Sequence, residues 1–127
     1  MRGSTTKEYK VLTREQVLYT VRATVAPEIE ADWVEWMQTR HIPDVLKEPG
    51  FLRAWLLRVT SPTREEWAEF VMVYQLENQA ALDAYMASPA RARLIQEVAD
   101  RYGDRAPSTR LFLQAVATIE AEGHPGE

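Results

Sequence analysis

Three of the four strand-like segments in this 127-residue chain are apolar on both parities. No other feature narrows the fold so far. FLRAWLLRVT, residues 51–60, sets Trp55 and Leu57 against Leu52, Ala54 and Leu56. AEFVMVYQLE, residues 68–77, sets Phe70, Met72, Tyr74 and Leu76 against Val71 and Val73. STRLFLQAVAT, residues 108–118, sets Phe112 and Val116 against Leu111, Leu113, Ala115 and Ala117. Successive strand side chains point to opposite faces, so strands of this kind must be covered on both. Only QVLYTVRATV, residues 16–25, alternates cleanly, with Val17, Tyr19, Val21, Ala23 and Val25 opposite Thr20, Arg22 and Thr24.

Helical signals fill the gaps. Pro27 suits a first helical turn, and Glu28, Glu30 and Asp32 lie near its positive end. Ile29, Trp33 and Met37 step by four into one apolar stripe, with Trp36 beside it. Pro43 disfavours helical geometry at Ile42, which predicts an end or a kink there, and Gly50 marks a turn. Asn78 is a good N-cap for QAALDAYMA. Ser88-Pro89 breaks that helix and starts ARARLIQEVADRY, with Gly103 just past its end. The order β-α-β-β-α-β, with the second helix interrupted at Ser88-Pro89, predicts an α+β ferredoxin-like fold with a four-stranded antiparallel sheet. Helices can cover one face of that sheet. A second copy of the same sheet is the simplest cover for the other, so the pattern predicts a homodimer that forms a dimeric α+β barrel.

The length suits one domain, expected over residues 16–119, between a mobile arm at 1–15 and a disordered tail at 120–127. The chain has no cysteine, which excludes disulfides and thiolate chemistry. Net charge is −4 with both signs interspersed, and no basic stripe suggests nucleic acid as a partner. No segment approaches a membrane span, so the expectation is a cytoplasmic protein without a membrane partner. Gly-rich phosphate loops, nucleophile elbows and metal-ligand spacings are all missing from the sequence, which implies neither a metal nor another cofactor.

The core resembles the dimeric α+β-barrel superfamily, and within it a small bacterial domain-of-unknown-function group. YTVRATV, PEIEADW, WMQTRHIPDVL and PGF carry the resemblance, followed by FVMVYQL, QAALDAYMAS and RLIQEVADRYGDR. It spans roughly residues 17 to 118, and the HIP and RYGDR segments are its most specific parts. The superfamily includes cofactor-free oxygenases, polyketide cyclases, sugar mutarotases and haem-handling enzymes, so fold alone does not name a reaction. In several members a histidine near the end of the first helix opens onto a cavity between helices and sheet. The nearest group implies no catalytic residues for this chain.

His41 is the candidate catalytic residue, because its neutral pKa suits proton transfer and it follows Met37 by four. A structural reading stands beside this one, in which His41 donates to a backbone carbonyl freed by Pro43. His124 lies in the tail and is expected to be inert. Tyr19 and Tyr74 share the inward parity and could line a cavity with His41. Trp33, Met37 and Trp55 are its candidate walls. Arg53, Arg58 and Arg110 are strand arginines suited to an exposed edge, an ion pair or an anionic ligand. Together these residues suggest a homodimer binding a small organic molecule. The alternative is a cofactor-independent enzyme, isomerase, cyclase or monooxygenase-like, using His41 as acid/base.

Overall fold

The computed structural model describes residues 12–122. Most of the expected N-terminal arm, most of the expected tail and His124 lie outside that range. Four strands, β1 (Val17–Val25), β2 (Phe51–Arg58), β3 (Ala68–Leu76) and β4 (Ser108–Gln114), form one sheet in the order β2-β3-β1-β4. All three pairings are antiparallel. A 3-10 turn (Pro27–Ile29) leads into α1 (Glu30–Trp36), a π-helical stretch (Met37–His41) and α2 (Ile42–Val45). α3 (Gln79–Met86) and α4 (Pro89–Tyr102) form the interrupted second helix. This is the ferredoxin-like arrangement, with the helices against one face of the sheet.

Register explains which face is which. Val17, Tyr19, Val21, Ala23 and Val25 of β1 are buried, as are Phe70, Met72, Tyr74 and Leu76 of β3. They pair across the strands, Tyr19 opposite Tyr74 and Val21 opposite Met72. Trp33, Met37, Leu82, Tyr85 and Leu94 reach down from the helices to close this core. The acidic start of the first helix does more than meet the helix dipole. Glu30 pairs with Arg58 of β2 at 3.0 Å, and Asp32 accepts from the Tyr102 hydroxyl at 2.7 Å. Arg105 binds Glu28.

Two expectations change, and a third is narrowed. Of the end or kink expected at Ile42, the end does not occur. The Ile42 N–H bonds to the Met37 carbonyl, five residues back, and a fresh α turn starts with Pro43 in its first positions. Proline is tolerated there because an N–H at a helix start has no intrahelical acceptor. β2 carries a bulge between Phe51 and Arg53, which puts Phe51 opposite Leu76 on the helix side and takes Leu52 out of the expected alternation. β4 stops at Gln114 instead of running to residue 118. Gln114 pairs with Val17, the first residue of β1, so later residues find no neighbouring strand to bond.

The caps form as their residues suggest. The Ala81 N–H donates to Asn78 Oδ1 at 2.8 Å. The Arg91 N–H donates to Ser88 Oγ at 3.1 Å, while that hydroxyl donates to the Tyr85 carbonyl. Gly50 has φ +88°, and a Cβ there would meet the Ala81 Cβ at 2.4 Å. Only glycine suits both the backbone and the close approach of α3.

Candidate functional site

Between the helices and the inner sheet face lies a cavity of about 210 Å³. Tyr19 of β1 and Tyr74 of β3 contribute neighbouring rings, stacked with centroids 5.7 Å apart. Trp33 and Met37 descend from the first helix, and His41 follows from the π-helical stretch. The structure therefore brings five of the six singled-out residues to one cavity. Trp55 is the exception and corrects the expectation that it walls the site. It faces away on β2, opposite Val73, and is 42% exposed. Its parity was ambiguous because β2 is apolar on both sides.

His41 stacks on Trp36, ring centroids 5.4 Å apart. A π-helical turn holds more residues than an α turn, which re-aims the side chains that follow it. Burial pushes the His41 pKa down to about 4, against Asp44, which favours the charged form, and with Arg110, which opposes it. The imidazole is thus neutral near pH 7. Its Nδ1 is buried and has no hydrogen-bond partner among the described residues. The indole Nε1 of Trp33, a fully buried side chain, is also unpartnered. Buried polar atoms are nearly always satisfied, and both of these unpartnered atoms belong to residues that line the cavity.

Tyr85 and Arg110 also line the cavity, although the sequence reading does not place them in the site. Tyr85 of α3 packs edge-on against Tyr19 and Phe51. Burial raises its pKa to about 12 and raises that of Tyr74 further. Both phenols are therefore neutral. Arg110 of β4 donates from Nε to the Tyr19 hydroxyl at 3.1 Å, at the cavity rim. It lies opposite Val21 and shares the inward parity with Phe112, which is opposite Tyr19. Its inward parity is fixed only by the register, since β4 is apolar on both sides. No group of three or more His, Cys, Asp or Glu side chains among the described residues is placed to hold a metal.

The outer sheet face has a different character. Leu111 pairs with Thr20, Thr20 with Val73, and Val73 with Trp55, an almost wholly apolar row across all four strands. Leu57 and Leu113 extend it on either side and are 47% and 43% exposed. Polar groups bound it at each end. Arg22 holds Glu69 at 2.5 Å, keeping that carboxyl below the usual range, and the Thr63 N–H donates to the same carboxylate. At the other end Arg53 binds Gln75, which donates to Gln16 at 2.6 Å.

A family model described as Domain of unknown function (DUF4286) matches residues 16–116. A search of curated proteins finds no match. Among solved structures, the chain is similar to SnoaB, a cofactor-independent oxygenase from Streptomyces nogalater, at 20% identity and a TM-score of 0.59. That match covers 84% of this chain and 99% of the other. A dimeric ferredoxin-like protein from an uncultured marine organism aligns at 19% identity and TM-score 0.59, covering 82% and 98%. HapK from Hahella chejuensis aligns at 18% identity and TM-score 0.60, covering 85% and 99%. At these identities the likeness is one of fold.

Proposed function

The chain belongs to the DUF4286 family, whose description names no reaction, and we propose that it is a homodimer binding a small organic molecule in the cavity of each subunit. One observation carries the ligand reading. Two buried donor or acceptor atoms, His41 Nδ1 and Trp33 Nε1, belong to residues lining the same cavity and have no partner among the described residues. Aromatic and aliphatic walls with a few convergent polar groups are the usual make-up of a ligand site. The homodimer reading rests on the bounded apolar row of the outer face, which a second copy would cover. The solved structure of a dimeric ferredoxin-like protein lends it support.

The alternative is a cofactor-independent enzyme with His41 as acid/base. The fold likeness to a cofactor-independent oxygenase keeps that reading in view. A histidine whose pKa lies near 4 is a weak base, however, and serves better as a neutral hydrogen-bonding group. Binding is therefore the favoured reading. A thermal-shift screen of carbonyl, phenolic and sugar compounds tests it, because any ligand of the folded state raises stability by mass action. The expected result is a class of compounds that raises the melting temperature of the wild type and not of His41→Asn. A screen in which no compound shifts the wild type would contradict it.

A further inference from the structure

The charge pattern of the cavity narrows the ligand. The described lining includes one arginine, Arg110, and no aspartate or glutamate. That is unusual placement in a chain whose net charge is −4. Arg110 forms no salt bridge with a described carboxylate, and its contacts are the Tyr19 hydroxyl and a long bond of 3.4 Å to Ser108 Oγ. The other cationic strand side chains on the outer face or at the helix edge have acidic or amide partners: Arg22 with Glu69, Arg58 with Glu30, Arg53 with Gln75. Arg110 stands at the rim with its guanidinium fork largely unspent.

We infer that the cavity takes a monocyclic aromatic acid, its carboxylate held at the rim by Arg110 and its ring among Tyr19, Tyr74 and Trp33. The inference rests on the cavity being a ligand site. Size suits one ring: an apolar cavity of about 150 Å³ accommodates one benzene ring, and the 210 Å³ here adds room for a short substituent. Chemistry sets the charge. A planar guanidinium matches a carboxylate with two parallel N–H donors, and Tyr19, already bonded to Arg110, can turn its hydroxyl to the same oxygens. A carboxylate buried at the depth of Trp33, which is 0% exposed, would lack a counter-charge, so the rim is where the anion belongs.

Isothermal titration of the full chain with benzoate and with benzamide tests this, the two probes sharing ring and shape but not charge. The expected result is binding of both, with benzoate tighter by about tenfold, as charge-assisted pairing exceeds neutral pairing. The preference should shrink as salt is added. Arg110→Gln should remove the benzoate preference by weakening benzoate binding more than benzamide binding. Benzamide binding as tightly as benzoate to the wild type would overturn the carboxylate inference while leaving the ligand site standing. Persistence of the preference in Arg110→Gln would overturn the role of Arg110. Failure of both probes at millimolar concentration would overturn the inference, while the ligand reading beneath it stands or falls on the thermal-shift screen. The wild-type comparison needs no variant, so it decides the matter even if Arg110→Gln folds poorly.

Discussion

His41 concentrates the argument at the scale of one residue. Folding takes its imidazole from a pKa of 6.5 to about 4, chiefly by burial, so the native state favours the neutral form. Above pH 6.5 both folded and unfolded states hold it neutral, and the group's contribution is fully present. As pH falls from 6.5 toward 4 the unfolded chain takes up a proton that the native state refuses, and stability is lost. The loss amounts to at most about 3 kcal/mol. His41→Asn should remove this component, which is read as the difference between the two proteins' urea midpoints across pH 4–7. Parallel curves would contradict the buried neutral histidine. Near pH 7.5 the same substitution should change stability little, because Nδ1 makes no hydrogen bond to a described residue. A loss of about 1–2 kcal/mol there would point instead to the carbonyl-capping role considered from sequence. His41 could be singled out from sequence by residue type and spacing. Arg110 could not be ranked above Arg53 and Arg58, because only the strand register separates an arginine at the cavity rim from one at a sheet edge.

At the scale of elements, local chemistry and packing divide the work. The strands, the interrupted second helix and its caps were legible because period, proline and Asn or Ser signals agree there. The bulge at Leu52 and the π-helical stretch at 37–41 were not, since both depend on how an element must bend to meet its neighbours. The end of β4 was illegible for a related reason: AVAT is as strand-like as what precedes it, and the limit is set by where β1 begins. Gly50→Ala should cost about 2–4 kcal/mol, from positive-φ strain and the clash with Ala81 together. A calorimetric loss under 1 kcal/mol would mean that α3 can shift to make room. Asn78→Ala should cost about 1 kcal/mol through the lost cap of α3. An unchanged melting temperature would show that packing of Leu82 and Tyr85 alone fixes that helix.

At the scale of the whole molecule, the two faces of one sheet carry different tasks. The inner face, with its tyrosines, encloses a cavity under the helices. The outer face offers Trp55, Leu57, Leu111 and Leu113 between two polar clusters, and nothing among the described residues covers it. Two-sided apolarity made this legible in the sequence, though it could not say which parity of β2 faced outward, which is why Trp55 was read into the cavity. Val73 lies in the middle of the outer row, between Trp55 and Thr20. Val73→Asp should place an uncompensated charge in the proposed interface at a cost of several kcal/mol and yield monomers or unfolded chain.

Covering of the outer face by a second copy is the central claim, and sedimentation velocity on the full-length protein at micromolar concentration measures it most directly. The account predicts a single species of twice 14.6 kDa, shifted toward the monomer by Val73→Asp. A well-folded wild-type species of 14.6 kDa at those concentrations would contradict it.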